Sequence, residues 1–301
     1  MENYQNALVT AVIITYKRPL EILERAIRSA IGQTHANMEV IVVNDYPADQ
    51  EMVEAIRSMI ASLHDSRIRY IVHERNSGAC KARNTGIMAA KGEFIALLDD
   101  DDEWLPDKTE QQLRGFTSDK VGMVYSPFYN ITKDLPGTIA VRGTKSGNLL
   151  EDMLWTNRLG GSSMSTIRRG VFDVCGLFDE TLLSSQDYDM WVRIAQQYEI
   201  NFVEKPLTRR YLLAESITNN YEKQFQGSMA FLEKHKDLLM QYPAAYNFRL
   251  NHRANKCFEQ GYHKEARRLC RMAVKVKPFS RYNVTEPVRG MVKYLFRIKR
   301  S

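Results

Sequence analysis

The sequence predicts an α/β fold: a mostly parallel sheet covered by helices on both faces, followed by a C-terminal helical extension. Three observations carry this. The first 125 residues alternate short β-branched runs with amphipathic helical spacing, the pattern of a parallel sheet covered on both sides. Four polar clusters stand where those strands emerge. The last 60 residues switch to helical spacing and to a different charge.

Val9 to Thr15 is the first apolar strand run, and Pro19 to Ile31 then aligns Leu20, Leu23, Ile27, Ala30 and Ile31 on one helical face. Met38 to Val43 is a second strand, ending at Asn44-Asp45. Gln50 to Leu63 spaces Val53, Ile56, Ile60 and Leu63 as a second helix, and Ile68 to Val72 is the third strand. Cys80 to Ala90 reads as a helix stopped by Lys91-Gly92, since glycine favours helix C-termini. Phe94 to Leu98 is the fourth strand, Pro106 opens another helix, and Val121 to Tyr125 is the fifth strand. From 126 to about 220 the pattern is less regular, with a β-like run at Met164 to Ile167 and helices at Arg169 to Val174 and Asp187 to Tyr198. Ala254, Phe258, Gly261, Tyr262, Ala266, Leu269, Ala273 and Pro278 fit one tetratricopeptide-like helical hairpin. The expected domains are 1–225, nucleotide-binding and catalytic, and 226–301, a basic helical region.

Hydrophobic residues make up 44% of the 301 and charged residues 26%, which excludes global disorder. No apolar run approaches the length that spans a bilayer, and Met1 to Asn6 has no signal-peptide pattern. Cys80, Cys175, Cys257 and Cys270 are scattered without a CxxC pair, as in a reducing compartment. The expected location is cytoplasmic, peripheral at the inner face of the cell membrane. Charge is uneven: residues 241–301 carry 15 Lys/Arg and 3 Glu, a net +12 against +6 for the whole chain, which leaves −6 for residues 1–240. A basic tail on an acidic body points to an anionic surface, and the acidic body disfavours nucleic acid. In Pro287 to Arg300, Val288, Met291, Val292 and Leu295 share one face and Arg289, Lys293, Arg297 and Arg300 another. Such a helix either lies on a membrane or packs on the body.

The densest chemistry is Asp99 to Asp102, which closes the buried run Phe94-Ile95-Ala96-Leu97-Leu98. Four adjacent carboxylates repel, and their pKa values spread upward unless a cation sits among them. A hard divalent ion, Mg²⁺ or Mn²⁺, suits such oxygens. In an extended chain Asp99 and Asp101 face one way and Asp100 and Asp102 the other. The competing reading is a solvated acidic turn that caps the next helix. In open α/β sheets ligands bind beyond the carboxyl ends of the strands. Thr15-Tyr16-Lys17-Arg18, Asn44-Asp45, Asn76 to Asn84 and Asp99 to Asp102 all belong to that rim. There is no GxGxxG after the first strand and no GxxxxGK[ST], so dinucleotide and P-loop chemistry are disfavoured.

Val12-Ile13-Ile14-Thr15-Tyr16-Lys17-Arg18-Pro19, Val42-Val43-Asn44-Asp45, Asn76-Ser77-Gly78 with Ala82-Arg83-Asn84, Leu98-Asp99-Asp100-Asp101-Asp102 and Gln186-Asp187-Tyr188-Asp189-Met190-Trp191 occur in that order. Together they resemble the family-2 inverting glycosyltransferases of bacterial cell-surface polysaccharide synthesis, which have the Rossmann-like GT-A fold. The resemblance covers roughly residues 8 to 220. It implies transfer of a sugar from a nucleotide donor, in the form of a UDP-sugar, to a saccharide or lipid-linked saccharide. It implies that Thr15, Tyr16 and Arg18 line the nucleotide pocket, that Asp45 accepts from the base, that Arg83 approaches the base or diphosphate, and that Asp99 holds the ribose. Asp101 is the implied ligand of Mn²⁺ or Mg²⁺, with Asp100 in an unusual place beside it. Asp187 is the implied general base; as a residue alone it also suits a helix N-cap, and Arg83 alone suits a helix surface. Asp189 would orient a neighbour, and Gly160 to Ser163 resembles the loop that meets sugar and acceptor. Two departures stand out: Leu213 occupies the place of a frequent His, with Arg209 or Arg210 to compensate, and Gln186 replaces a frequent Glu. The alternatives are a non-catalytic nucleotide-sugar-binding or scaffold protein, and a sugar-nucleotide nucleotidyltransferase. The latter needs a Gly-rich loop after strand one, and Ile14 to Ile22 has no glycine.

Overall fold

The computed structural model describes residues 4–132, 137–140, 143–212 and 221–298. The chain divides into two compact units: Met1–Leu149 with Arg158–Asn220, and Leu150–Asn157 with Tyr221–Ser301.

The first unit opens with β1 (Val9–Thr15), α1 (Leu20–Ile31), β2 (Met38–Asn44), α2 (Gln50–Ser62), β3 (Ile68–Val72), α3 (Ala79–Ala89) and β4 (Phe94–Asp99). The expected elements are present, with ends shifted by a residue or so. β5 (Glu103–Trp104) and α4 (Lys108–Leu113) follow. α4 starts two residues after Pro106, because Asp107 stands at its N-cap. Next come β6 (Val121–Tyr125), β7 (Phe128–Ile131) and β8 (Thr138–Ala140). After α5 (Leu150–Trp155), which belongs to the second unit, come β9 (Ser165–Arg168), α6 (Val171–Cys175), α7 (Gln186–Ala195), β10 (Glu199–Phe202) and β11 (Thr208–Tyr211).

The main sheet has the order β10-β6-β9-β4-β1-β2-β3. It is parallel except for β9, which runs antiparallel to both β4 and β6. β1, β2 and β4 are neighbours in matched register, so Thr15, Asn44 and Asp99 emerge side by side. Val9, Ala11, Ile13, Val40, Val42, Phe94, Ala96 and Leu98 are wholly or almost wholly buried. Such continuously apolar strands are what a two-faced parallel sheet requires. A second sheet, β5-β11-β7-β8, was not expected; its strands of two to four residues are too short to show a period.

The second unit contains α5, α8 (Tyr221–Lys234), α9 (Lys236–Gln241), α10 (Pro243–Glu259), α11 (His263–Val276) and α12 (Tyr282–Ile298). α10 and α11 form the helical pair, with Ala254, Phe258, Ala266, Leu269 and Ala273 buried. Trp155 of α5 packs on Phe248, their ring centroids 5.4 Å apart. α12 begins five residues before Pro287, which lies inside the helix at the cost of one backbone hydrogen bond. Among the described residues no helix is long and apolar enough to cross a membrane, and the four cysteines are free.

Helix α3 carries Arg83 and lies directly on β1, and Gly86 sets the distance. A methyl group there would fall 2.3 Å from Val12 Cγ1. Gly86→Ala should therefore overpack this contact and destabilise the protein by about 1–3 kcal/mol, read as a lower urea midpoint with unchanged slope.

Candidate active site

The C-terminal edge of β4 does not stay extended. Asp102 N–H donates to Asp99 C=O at 3.1 Å, closing a turn. Exposure still alternates along it: Asp100 and Asp102 are 5% and 4% exposed, whereas Asp99 and Asp101 are only partly covered. Each buried carboxylate has its own partner. Arg18 Nε donates to Asp100 Oδ1 at 2.8 Å, and Thr15 also hydrogen-bonds that carboxylate. Burial still pushes Asp100 up to about 6, against the pull of Arg18 and Thr15. Asp102 is hydrogen-bonded by Ser163, and burial followed by the charges of Asp99 and Asp101 holds it well above the carboxylate range.

Of the two open carboxylates, Asp101 accepts from Arg18 Nη2 at 3.2 Å. Burial and then the Asp99 charge raise its pKa, while Arg18 and Arg210 lower it. Arg25 Nη2 fixes the backbone by donating to Asp101 C=O at 2.8 Å. Asp99 is paired with Arg83, whose Nη2 lies 2.8 Å from Asp99 Oδ1. Arg83 is 7% exposed and also donates from Nη1 to Gln186 Oε1 at 3.3 Å. Burial opposes its charge, but Asp99 and Asp187 outweigh that and raise its pKa. Arg83 is thus a bridge between α3, β4 and α7 rather than a surface charge.

Asp187 stands in the first turn of α7, behind Ser185, whose φ of 63° is left-handed. Strained backbone of this kind gathers at working sites. Asp187 Oδ1 accepts from Ser162 Oγ at 2.6 Å. Burial is the leading cause of its raised pKa; Arg83 pulls the other way and Asp99 adds to the rise. The N-cap position of α7 is Ser185, not Asp187, and its side chain makes no cap bond. Asp189 is fully buried and pairs with Arg193 at 2.9 Å, which in turn donates to the carbonyls of Cys175 and Leu177.

Asp45, just beyond β2, is held by its own rim. Its Oδ1 faces His73 Nδ1 and accepts from Ser77 N–H, both at 2.8 Å, and its Oδ2 accepts from Gly78 N–H at 2.8 Å. Tyr16 is 44% exposed and meets Tyr46 edge-on, centroids 5.2 Å apart. Arg209 is engaged by Glu103 at 2.8 Å, and Leu213 lies outside the described residues.

Sequence reasoning missed the work of Ser162 and Ser163. Ser163 Oγ accepts from Asp99 N–H at 3.0 Å and bonds Asp102. Ser163 C=O accepts from Trp104 Nε1 at 2.9 Å and Thr208 Oγ1 at 3.2 Å. Gly160, at φ 95°, turns the chain into this pair, and its carbonyl receives Trp191 Nε1 at 3.2 Å. His73, which directly follows β3, was also overlooked, although its place at a strand end is a usable signal. A separate cleft of about 530 Å³, lined by Glu21, Arg25, Arg28, Glu103 and Trp104 among others, contains Arg209 but none of the other expected site residues.

Among the described residues no group of three or more His, Cys, Asp or Glu is set to hold a metal ion. Asp99 and Asp101 nonetheless offer hard oxygens where anionic charge is crowded. One or two carboxylates with substrate phosphates and water is the usual donor set of Mg²⁺. The residues therefore fit a divalent cation completed by a bound diphosphate.

Residues 10–175 match the family model described as Glycosyl transferase family 2. An Escherichia coli (strain K12) protein whose name assigns it to colanic acid biosynthesis as a glycosyl transferase, WcaA, is 31% identical over 246 residues, 77% of this chain and 82% of that protein. The Escherichia coli UDP-Glc:alpha-D-GlcNAc-diphosphoundecaprenol beta-1,3-glucosyltransferase WfaP is 27% identical over 234 residues, 78% of this chain and 84% of that one. The mannosyltransferase PcManGT from Pyrobaculum calidifontis, solved with GDP-Man and Mn²⁺, is similar in fold. Its TM-score is 0.63 at 14% identity, covering 97% of this chain and 88% of that chain. The architecture is the GT-A fold with a C-terminal helical region.

The Asp189–Arg193 pair holds the start of α7 in place. Arg193→Met should remove the ion pair from a buried carboxylate and cost up to about 3–5 kcal/mol of stability, measured by chemical denaturation.

Proposed function

The chain belongs to glycosyl transferase family 2, and on that premise we propose that it is an inverting, metal-dependent hexosyltransferase acting in cell-surface polysaccharide synthesis. The donor is a UDP-sugar and the acceptor a saccharide on a lipid carrier, at the cytoplasmic face of a membrane that the basic tail meets. The relative WfaP, named for a UDP-Glc donor and a diphosphoundecaprenol acceptor, supports both choices. The observation that carries the reading is the convergence of Asp99, Arg83 and Asp187 from three elements through bonds of 2.6–3.3 Å that also involve Ser162 and Gln186.

The donor nucleoside lies along the rim of β1, β2 and β4. The ring of Tyr16 offers it an exposed face, Asp45 and the Ser77–Gly78 amides form the floor, and Asp99 takes the ribose. Arg18, held by Asp100 and Asp101, and Arg83 bring positive charge toward the diphosphate. A divalent cation held by Asp101 would act as a Lewis acid on the leaving diphosphate. Asp187 accepts the proton of the acceptor hydroxyl as that oxygen bonds to the anomeric carbon and the carbon–oxygen bond to the diphosphate breaks. Attack from the face opposite the leaving group inverts the configuration. Ser162 donates to Asp187 Oδ1 and so holds the carboxylate toward the acceptor. Gln186, neutral where a second acid is common, adds no competing negative charge beside the base.

Two experiments test this. Titration of the protein with UDP-sugars should raise its melting temperature, and the rise should require Mn²⁺ or Mg²⁺ and vanish in Asp101→Asn; a shift independent of metal would overturn the metal assignment. Asp187→Asn should lower kcat by about 10²–10⁴-fold with donor binding intact. Because Asp187 works ionised and its pKa is raised, the wild-type rate should fall with decreasing pH already above the ordinary aspartate range. Turnover unchanged in Asp187→Asn would sink the base assignment.

A further inference from the structure

α12 is attached to its own unit by the wrong face. Among its described side chains, the buried or half-buried positions are Tyr282, which packs edge-on against Phe248 with centroids 5.0 Å apart, then Asn283, Glu286, Pro287, Gly290 and Tyr294. These meet a ladder of asparagines one turn apart on α10. Asn247 Nδ2 and Asn251 Nδ2 donate to Asn283 Oδ1 at 2.7 and 2.8 Å, and Asn255 Nδ2 donates to Glu286 Oε2 at 2.9 Å. Lys293 Nζ extends the ladder to Glu259 at 2.5 Å. Gly290 brings the helices so close that a methyl group would lie 2.5 Å from Asn255 C=O.

A polar seam of this kind leaves the apolar residues facing out. Val284, Val288, Met291, Val292 and Leu295 are 65%, 48%, 42%, 44% and 59% exposed. Their spacing of three and four makes one continuous stripe. Phe279, in the turn ahead of the helix, is 98% exposed. Lone exposed apolar side chains are ordinary, but an aligned stripe marks an interaction surface.

Charge selects the occupant. Lys275, Lys277, Arg281, Arg289 and Lys293 are exposed around the stripe, in a segment that carries +12 over residues 241–301. A second copy would bring the same charge and repel. An anionic phospholipid surface attracts each lysine or arginine and accepts the apolar side chains beneath its headgroups. We propose that α12 is an in-plane membrane anchor, whose Val284–Leu295 stripe and Phe279 insert into the acyl boundary of an anionic bilayer. This deepens the membrane reading given above and rests on it, replacing attraction by charge alone with insertion of a defined helix face.

The test uses the full chain and vesicles of phosphatidylglycerol with phosphatidylcholine, without donor or acceptor. The wild type should sediment with these vesicles and not with phosphatidylcholine alone. Val288→Asp combined with Leu295→Asp should weaken that binding by at least about tenfold. Both positions are exposed, so the circular dichroism and the transfer rate to a soluble acceptor should be unchanged. Phe279→Trp gives a second readout, since its emission should shift to the blue when vesicles are added. Equal vesicle binding by the double variant, or no blue shift in sedimented Phe279→Trp protein, would overturn insertion. A wild-type dimer that ignores vesicles and becomes monomeric in the double variant would assign the stripe to a second copy and overturn it too. A missing transfer reaction with intact vesicle binding would count against the proposed function and leave the anchor standing.

Discussion

Four like charges in one turn are the constraint around which the first unit is arranged. Left alone, such a turn would protonate or unfold into solvent, because buried carboxylates without partners are costly. Here alternate members are withdrawn and compensated. Asp100 is neutralised by Arg18, and Asp102 is satisfied by Ser163. That leaves Asp99 and Asp101 at the open edge with their charge concentrated by their neighbours. The turn therefore cannot be altered piecemeal: Arg18 serves two of its carboxylates, and Arg25 holds its backbone.

Arg83 transmits this arrangement to the other side of the site. Its guanidinium joins Asp99 at the end of β4 to Gln186 at the start of α7. Its helix lies on β1 at the distance Gly86 permits. The field it exerts on Asp187 opposes the desolvation that raises that carboxyl's pKa. A single buried cation thus favours the ionised form of one carboxylate while pairing directly with another.

Much of this could be read from residues in order. Continuous apolar runs such as Val40 to Val43 can only be buried strands in an α/β alternation, and polar residues at their ends mark the rim. The short strands of the second sheet escaped because two to four residues hold no period. Ser162 and Ser163 escaped for a different reason. A serine in a loop has many ordinary roles, and theirs exist only because β9 inserts antiparallel between β4 and β6 and brings the loop to both carboxylate groups. α12 illustrates the reverse case. Its amphipathic pattern was evident, but which face turns inward depended on the asparagines of α10, more than twenty residues away in the chain.

The two serine hydroxyls belong to neighbouring residues yet hold two different parts of the site. Ser162 holds the carboxylate of Asp187, and Ser163 holds the Asp99–Asp102 turn. Their α-carbons are one peptide step apart, about 3.8 Å. The loop therefore works as a gauge block: the spacing between its anchor points for Asp187 and for the aspartate turn is set by covalent geometry, not by the looser fit of side chains. A one-residue insertion between them would put Asp187 and the aspartate turn out of register with each other.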